Sequence, residues 1–370
     1  MSVSVIVPYH SGAAYLNLCL GSLEKDYESI TEVIVVSNGT SAAPAVPLDS
    51  KLAIRVLHYE EALGYALAVR RGAEQANSHF ILLCDADTFF PQPGWIGKHL
   101  GIHASAPNIG VTSSKLINYR TDRILDFGIG RTRLNQFHPC RDAKLSDPRV
   151  QESRRVQMAC SAVMMIERGL FSHVGGFDQS LRYFYQDVDL CLRLKREKRE
   201  VWVVADALAY HRGGSSSVVR APFQIDERAH FTVKNAALME VDYPRYLSEA
   251  LAPYLDHISS GGPFGLVNLS TAVDLTDALG VLTRYTALKP LARWTPPARD
   301  VESITLPDVV ETSVLRYQGP LLIFVDRHLS LRFNGLWRAA RDTSADIVID
   351  RHANVILFDE VTEVPTKLCP

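Results

Sequence analysis

Four apolar segments near the start of the chain each end in polar residues, and their spacing constrains the fold most. They alternate with two segments in which apolar residues recur near helical spacing. Strands that alternate with helices in this way indicate a mostly parallel sheet flanked by helices, in the α/β class. The strand-like segments are VSVIVPYH (3–10), TEVIVVSNGT (31–40), LAIRVLHYE (52–60) and HFILLCDADT (79–88), and the helix-like segments are GAAYLNLCLGSLEK (12–25) and EALGYALAVRRGAEQAN (61–77).

Length and composition set limits for this fold and for its partners. The 370 residues suffice for one large domain or for a domain with an appendage. A formal net charge of −2 gives no overall electrostatic case for binding nucleic acid. The six cysteines form no CxxC pair, and the N-terminal segment reads as a strand and not as a signal peptide. Since no segment approaches the ~20 apolar residues of a membrane span, we predict a cytoplasmic protein without a transmembrane segment.

The pattern of predicted elements divides the chain into three parts. Alternating strands and helices extend over residues 1–240, which we predict to form the main domain. Residues 241–300 hold many prolines and glycines and are predicted to form a helical and irregular connecting region. Residues 301–370 return to a strand and helix pattern, which predicts a small α/β C-terminal unit of unknown role.

Polar residues follow three of the predicted strands at the point where each strand ends. They are Pro8-Tyr9-His10, Ser37-Asn38-Gly39 and Asp85-Ala86-Asp87. Ligands of open α/β sheets bind outside the carboxyl ends of the strands. The sequence therefore predicts a ligand site at this edge of the sheet.

Asp85 and Asp87 give the clearest indication of the kind of ligand that this site binds. Side chains two positions apart on a strand point the same way, so a strand that continued to Asp87 would hold two carboxylates side by side. Two such charges resist joint ionisation unless a cation lies between them, and Mg²⁺ typically binds one or two carboxylates together with substrate phosphates. The alternative is that both aspartates only end the strand as turn formers.

A second group of candidate residues lies in the segment from 174 to 217. Asp187 and Asp189 fall where a helical run begins, and a carboxylate held there can act as a general base toward a hydroxyl. The alternative is that one of them only caps the helix. His211 ends a strand-like run, where an imidazole can bind a divalent ion or simply lie at the surface.

Taken together, the motifs resemble those of the family 2 glycosyltransferases, in a rhamnosyltransferase-like subgroup. The resemblance covers roughly residues 3–240 and implies the GT-A fold, a Rossmann-like mostly parallel sheet flanked by helices, here with a C-terminal extension. It also implies a metal-dependent, inverting hexosyltransferase. Such an enzyme moves a sugar from a UDP-, dTDP- or GDP-sugar to a hydroxyl of a carbohydrate or other acceptor, with Mn²⁺ or Mg²⁺ as cofactor. The motifs that carry the resemblance are VSVIVPYH, EVIVVSNGT, LGYALAVRRGAEQANSHFILLCDADT, GGFDQSLRYFYQDVDLCLRL and YHRGGSSS.

The resemblance implies a role for each residue that matches a motif. Asp85 would lie near the ribose of the nucleotide, and Asp87 of the DXD motif would bind the metal on the diphosphate. His211 would be a further metal or phosphate contact, and Asp187 would be the general base. The other implied positions are Pro8, Tyr9, Ser37, Asn38, Arg70 and Ala86 around the donor, and Gly176, Gln186 and Asp189 around the acceptor.

The chain departs from the family pattern at four positions. Gln186 replaces the usual glutamate before the base, which removes one local charge. Ser37 stands where the second strand usually ends in aspartate, so an anionic contact to the donor is missing, and His10 replaces an asparagine. Arg70 stands where the family often has asparagine, and its fixed charge could reach a phosphate.

Three other classes of protein share parts of this pattern. A sugar-1-phosphate nucleotidyltransferase would carry a glycine-rich, arginine-containing loop near the N-terminus, and the sequence has none there. A Rossmann dehydrogenase needs GxGxxG after the first strand, whereas the nearest match, GIGRTR (128–133), lies in a loop and lacks the third glycine. A non-catalytic carbohydrate- or nucleotide-binding protein on a degenerate GT-A fold stays open because of Gln186 and Ser37. Self-association into a homo-oligomer also stays open.

Overall fold

The chain forms two compact units in a computed structural model. The structure describes residues 2–213, 221–260, 264–268, 270, 273–284, 286, 288–293, 319–325 and 344–357. The first unit comprises residues 1–129 and 140–240, and the second comprises residues 130–139 and 241–370.

The first unit is built on ten strands and six described helices. Its strands are β1 (Val3–Tyr9), β2 (Ile30–Asn38), β3 (Ile54–Tyr59), β4 (Phe80–Cys84), β5 (Thr88–Phe89), β6 (Ile109–Asn118), β7 (Arg123–Asp126), β10 (Arg154–Val156), β11 (Val163–Glu167) and β12 (Glu200–His211). Its helices are α1 (Ala13–Leu23), α2 (Tyr65–Gln75), α3 (Trp95–Ser105), α4 (Arg168–His173), α5 (Gln186–Arg196) and α6 (Gln224–Asn235).

All ten strands belong to one sheet with the order β10-β12-β6-β11-β4-β1-β2-β3, to which β5 and β7 add at β12 and β6. The strands β3, β2, β1 and β4 pair in parallel, as do β6 and β12. Because β11 is antiparallel to both β4 and β6, six strands of the main order run in one direction. The predicted α/β class with a mostly parallel sheet flanked by helices is therefore confirmed.

Both faces of this sheet are apolar, which explains why helices cover both. On β1, Ile6 packs in one buried cluster with α2, whereas Val5 and Val7 pack in the other with α1. This alternation follows from side chains that point to opposite faces along a strand. Gly72 lets α2 approach closely, because a Cβ there would lie 2.5 Å from the Cγ2 atom of Ile6.

The carboxyl ends of the parallel strands meet at one edge of the sheet, as the sequence predicted. Tyr9, Asn38 and Cys84 end neighbouring strands there, and His211 ends β12. The antiparallel strand β11 begins at the same edge, with Val163 opposite Cys84. The residues just before β11 therefore lie beside the turn that follows β4.

The second unit has a five-stranded sheet with the order β14 (Leu288–Arg293), β13 (Phe264–Asn268), β15 (Leu321–Val325), β16 (Ile347–Asp350) and β17 (Val355–Leu357). Its first four strands pair in parallel, and β17 is antiparallel to β16. Its elements are β8 (Gly130–Arg131), β9 (Gln136–Phe137), α7 (Tyr243–Leu251), α8 (Leu255–Ser260), β13 (Phe264–Asn268), α9 (Leu275–Leu282), β14 (Leu288–Arg293), β15 (Leu321–Val325), β16 (Ile347–Asp350) and β17 (Val355–Leu357).

Residues 241–300 differ from the expectation of helices with irregular links. They contain β13 and β14, and β13 pairs directly with β15 of the following region. Of the strand and helix pattern predicted for residues 301–370, the described residues contain the strands β15, β16 and β17, and the rest of that pattern lies outside the described residues. The division into a connecting region and a separate C-terminal unit stays a prediction, and this pairing argues against a boundary at residue 300.

Candidate functional site

Three predicted residues meet at the carboxyl edge of the first sheet. The Nε2 atom of His211 lies 3.1 Å from Oδ1 of Asp87 and 3.5 Å from Oδ2 of Asp85. Pairing of β5 with β12 sets His211 opposite Thr88, which brings the imidazole beside the two carboxylates. The side chains are 26% exposed at Asp85 but only 11% at Asp87 and 13% at His211, so the cluster is partly shielded from water.

A turn, and not strand alternation, brings the two aspartates together. Strand β4 ends at Cys84, and the carbonyl of Asp85 accepts from the backbone N–H of Thr88 at 3.0 Å and from its hydroxyl at 2.7 Å. Strand β4 therefore does not continue to Asp87, and both aspartates lie in the turn that follows it. The turn aims both carboxylates at His211 because the backbone of Asp87 is also held, its carbonyl accepting from the N–H of Arg212 at 3.2 Å.

The donor set of this cluster fits a divalent cation. One ligand atom each from Asp85, Asp87 and His211 lie within 4.8 Å of one another. Two ligands at right angles on a cation, each at roughly 2.0–2.1 Å, are about 3 Å apart, close to the distances between His211 and the two aspartates. Carboxylate oxygens suit Mg²⁺ and Mn²⁺, and an imidazole suits the softer first-row metals.

Asp187 lies at the start of α5, as its second residue. Its Oδ2 atom accepts from the N–H of Ser161 at 3.0 Å, and its Oδ1 atom accepts from the N–H of Val188 at 2.8 Å. Burial raises the pKa of Asp187 above its ordinary value, the two N–H groups oppose that rise, and the charge of Asp126 adds to it. A half-buried carboxylate with a raised pKa has the properties of a general base.

The short segment before β11 connects Asp187 to the acidic cluster. Ser161 donates its N–H to Asp187, and the carbonyl of the next residue, Ala162, accepts from the N–H of Asp85 at 2.8 Å. Tyr65 adds a second link, because its hydroxyl donates to the Ser161 carbonyl at 3.4 Å and accepts from the Ser161 hydroxyl at 3.3 Å. Burial raises the pKa of Tyr65 well above its ordinary value, and the charge of Asp85 adds to this rise. The two predicted functions, cation binding and proton abstraction, thus share one hydrogen-bonded support.

Neither predicted aspartate is the N-cap of α5. Tyr185 occupies that position with a left-handed backbone, at φ 64° and ψ 0°, and provides no capping hydrogen bond from its side chain. A left-handed non-glycine residue is strained and persists only where surrounding contacts enforce it. Simple capping therefore does not explain the aspartates at this helix start.

Asp189 is fully buried and held by charged and polar partners. Its Oδ2 atom accepts from Arg193 at 2.8 Å, and its Oδ1 atom lies 2.8 Å from Nζ of Lys234 and 3.0 Å from Nδ2 of Asn235. With no exposed surface, this carboxylate cannot meet an acceptor. These contacts agree with a mainly structural role for Asp189, and its predicted place around the acceptor stays a prediction.

We expect the Asp189→Asn variant to be clearly less stable, because it removes a fully buried carboxylate that pairs with Arg193 and, together with Asp178, with Lys234. Breaking a buried ion pair costs about 3–5 kcal/mol, which lowers the melting temperature of a domain of this size by roughly 10 °C. The matched control is Asp206→Asn, at an exposed aspartate of β12. Thermal unfolding followed by circular dichroism measures the difference, and equal melting temperatures would contradict the assignment.

The residues predicted to contact the nucleoside lie at the ends of β1 and β2. Pro8 is half-buried and Tyr9 is buried, and the Tyr9 carbonyl accepts from Nδ2 of Asn38 at 3.2 Å. Ser37 is fully buried, and its hydroxyl bonds Thr40 at 2.8 Å. Asn38 and Ser37 therefore tie the strand ends together, and their predicted contact with the donor stays a prediction, as does that of Ala86 in the turn after β4.

Arg70 of α2 and Gly176 lie close together. A Cβ at Gly176 would lie 3.4 Å from Cγ of Arg70 and 3.2 Å from the ring of Phe171, and its positive φ of 65° also favours glycine. Arg70 follows Tyr65 by more than one helical turn, which displaces it about 7.5 Å along α2 from the residue that contacts Ser161. A phosphate contact by Arg70 stays a prediction without a supporting contact.

Two further observations were not anticipated from the sequence. Gln186 is buried, and its Oε1 atom has no hydrogen-bond partner among the described residues. Arg212 follows the predicted metal ligand, and its guanidinium lies 4.5 Å over the ring of Tyr15. Its place directly after His211 was visible in the sequence, but the hydrogen bond to Asp87 and the ring of Tyr15 depend on the tertiary fold.

Within the described ranges, the helices are too short or too polar to cross a bilayer. The five cysteines that the structure describes are free thiols.

Comparison with known proteins connects this arrangement to one family. Residues 4–133 match the sequence model of the family described as Glycosyl transferase family 2. The O-antigen biosynthesis protein RfbC of Myxococcus xanthus is 25% identical over 316 residues. That alignment covers 81% of this chain and 23% of the relative, so the chain spans about a quarter of the relative's length.

Solved structures also resemble the chain, at low sequence identity. GalNAc-T7, solved with UDP, GalNAc and Mn²⁺, is 15% identical with a TM-score of 0.46, over 57% of this chain and 43% of its own. The mannosyltransferase PcManGT from Pyrobaculum calidifontis, solved with GDP-Man and Mn²⁺, is 15% identical with a TM-score of 0.41, over 76% of this chain and 79% of its own.

The family match includes β1, β2, β4 and the turn that carries Asp85 and Asp87, whereas Asp187 and His211 follow it along the chain. The observed sheet has the mostly parallel α/β architecture that the resemblance implied. In its sheet and in its match over residues 4–133, the first unit is similar to the glycosyltransferases of family 2.

Proposed function

We propose that the first unit transfers a sugar from a nucleotide-diphosphate-sugar to an acceptor hydroxyl by metal-assisted direct displacement. The observation that carries this proposal is the chain of hydrogen bonds from Asp85 through Ala162 and Ser161 to Asp187. It holds a cation-binding cluster and a candidate base at one edge of the sheet, where ligands of such folds bind. A family 2 glycosyltransferase needs both functions in one site.

The cation, Mn²⁺ or Mg²⁺, would be held by Asp85, Asp87 and His211. When bound, it would stabilise the negative charge that develops on the leaving diphosphate. The residues of the chain orient the donor around it. The DXD turn is fixed by Thr88 and by the backbone N–H of Arg212.

Asp187 would remove the proton from the acceptor hydroxyl as its oxygen attacks the anomeric carbon. The carboxylate is held in one orientation by the N–H groups of Ser161 and Val188, which fixes the direction from which the acceptor is deprotonated. Displacement in one step, with the acceptor opposite the diphosphate, inverts the configuration of the sugar. The expected product therefore has the anomeric configuration opposite to that of the donor.

The acceptor is proposed to be a saccharide. The name of the RfbC relative, O-antigen biosynthesis protein, supports this class, within the quarter of its length that the chain spans. The donor is a UDP-, dTDP- or GDP-sugar. Because the end of β2 carries the neutral and fully buried Ser37 in place of an aspartate, this position contributes no anionic contact to the donor. The cytoplasmic location and a homo-oligomeric state stay predictions.

The second candidate function is a binding protein that retains the fold without catalysis. The buried Oε1 atom of Gln186, beside the proposed base, has no hydrogen-bond partner among the described residues, and this observation favours it. Catalysis and binding differ in product, since only an enzyme releases nucleoside diphosphate.

The test is hydrolysis of a panel of UDP-, dTDP- and GDP-sugars by the purified chain, with Mn²⁺, with Mg²⁺ and with EDTA. We expect release of nucleoside diphosphate from at least one donor with metal and a loss of that release with EDTA. A panel that yields binding to a donor by calorimetry without turnover, with or without saccharide acceptors, would favour the binding protein. Asp206→Asn serves as the control for a carboxylate removed from the same unit.

A further inference from the structure

Helix α6 contacts the start of α5 and the loop before it at four positions on one of its faces. Phe231 follows Glu227 by four positions, and Lys234 and Asn235 follow Phe231 by three and four, as expected of residues on one side of a helix. Each of them touches the segment 182–189, which contains the proposed base Asp187. Helix α6 thus follows the contour of this segment.

Glu227 makes the most hydrogen bonds from α6 to the loop 182–184. Its Oε1 atom accepts from the N–H of Arg182 at 3.0 Å, and its Oε2 atom accepts from the N–H groups of Tyr183 at 3.1 Å and Phe184 at 2.7 Å. The side chain is only 4% exposed. Three consecutive backbone donors on one buried carboxylate form an anion site that the protein fills with its own residue.

Phe231, one turn further along α6, supports the strained residue that follows this loop. Its ring stacks on that of Tyr185, with centroids 5.1 Å apart and planes 16° apart. Tyr185 is the left-handed residue from which α5 begins. Such a backbone costs on the order of 1–3 kcal/mol and needs contacts that enforce it. The stack and the carboxylate of Glu227 act on successive residues, so both favour the same entry into α5.

The last turn of α6 contacts α5 itself, beyond the loop that Glu227 holds. Lys234 and Asn235 contact the buried Asp189, two residues beyond the proposed base. Lys234 also lies 2.6 Å from Asp178 at its Oδ2 atom, in the loop that leads to this segment. The residues on both sides of Asp187 are therefore fixed by one helix.

We propose that α6 is a clamp for the base and that Glu227 is a positioning residue for Asp187. The proposal rests on the proposed function, because it assumes that Asp187 removes a proton from the acceptor. Glu227 acts through the loop 182–184 and does not itself touch the reacting atoms. Its negative charge matters, since a glutamine has one acceptor oxygen for three N–H donors and sets an NH₂ group against at least one of them.

The decisive variant is Glu227→Gln, with Asp226→Asn as the matched control. Asp226 is the preceding residue of α6, is exposed, and loses the same charge without a contact to the loop. Amide hydrogen exchange is measured first, because it reports on the loop whatever the activity of the chain. We expect faster exchange at the N–H groups of residues 182–184 in Glu227→Gln, and exchange like that of the wild type in Asp226→Asn and in helix α2.

Kinetics then separate positioning from loss of structure. Displacement of a catalytic group by about 1 Å costs on the order of 10²-fold in rate. We expect the kcat of sugar transfer in Glu227→Gln to fall by about 10- to 100-fold, with the KM for the donor and the affinity for Mn²⁺ unchanged, at a temperature where melting curves show the variant folded. A merely structural role would lower active concentration and leave the turnover of the folded fraction at the wild-type value.

The failures of the two proposals are distinct. If the wild-type chain transfers no sugar, the proposed function is overturned. The role of Glu227 in positioning a base is then overturned with it, even if Glu227→Gln accelerates exchange at 182–184. A wild-type chain that transfers sugar would leave the function standing. Unchanged exchange at the loop in Glu227→Gln, or a folded variant with the kcat of the wild type, would then overturn the clamp alone.

Discussion

The Asp87→Asn variant is expected to bind Mn²⁺ far more weakly than the wild-type chain and to lose metal-dependent turnover of the donor. Asp87 is 11% exposed and lies 3.1 Å from His211, so its substitution leaves Asp85 as the one carboxylate of the three-residue cluster. Loss of an outer partner of a metal ligand typically costs about 10- to 100-fold in affinity, and loss of a direct anionic ligand should exceed that. Electron paramagnetic resonance of free Mn²⁺ gives the affinity directly.

A matched control separates this effect from a general change in charge. Asp206→Asn removes a carboxylate from β12, the strand that carries His211, but at an exposed position. It should bind Mn²⁺ like the wild type. Equal Mn²⁺ affinity in Asp87→Asn and Asp206→Asn would show that the cluster of Asp85, Asp87 and His211 does not hold the cation.

The Asp187→Asn variant is expected to retain donor binding and to lose sugar transfer by about 10²–10⁴-fold, the typical contribution of a positioned base. An asparagine can still accept from Ser161 through its single oxygen, so the segment before β11 and the turn at Asp85 should keep their places. Only the proton acceptor is removed. Single-turnover transfer to a saccharide acceptor gives the rate, and calorimetry with the donor gives the affinity.

Stability and pH distinguish Asp187 from its neighbour on α5. Burial raises the pKa of Asp187, so ionisation of this group costs more in the folded than in the unfolded chain, and stability is lost as the pH rises through the interval between the two pKa values. At neutral pH, Asp187→Asn is therefore not expected to lower the melting temperature, in contrast to Asp189→Asn. A fully active Asp187→Asn enzyme would exclude this residue as the base.

The same pKa shift predicts the acid side of the pH profile. The base must be ionised to accept a proton, so kcat/KM of the wild type should fall as the pH falls through the pKa of Asp187. Because burial raises that pKa, the fall should begin above the ordinary range of an aspartate. A rate that stays constant down to the pH range of an exposed carboxylate would contradict a buried base.

The strands and the edge of the first sheet could be predicted because they depend on local patterns. Strand β1 buries Ile6 on one face and Val5 and Val7 on the other. The sequence indicates such a strand by an apolar run that ends at a proline and polar residues. The position of His211 beside the aspartates was harder to predict from local patterns. It depends on the pairing of His211 with Thr88, a contact between residues far apart in the sequence, and the resemblance to a family supplied it.

Several features of the site could not be read from the sequence for the same reason. The contact of Glu227 with residues 182–184 and the stack of Phe231 on Tyr185 join segments about 45 residues apart. A glutamate in the first turn of an amphipathic helix is ordinarily a solvated residue, and nothing in its neighbours marks it as buried. The strands in 241–300 were missed because β13 is only five residues long and lies among glycines and prolines.

Calorimetric titration of the wild-type chain with UDP-, dTDP- and GDP-sugars, in Mn²⁺ and in EDTA, tests most directly whether Asp85, Asp87 and His211 form a metal-dependent donor site. The account predicts binding of at least one donor in Mn²⁺, no measurable binding of that donor in EDTA, and none in either condition for Asp87→Asn. Binding of the donor with the same affinity in Mn²⁺ and in EDTA would contradict it.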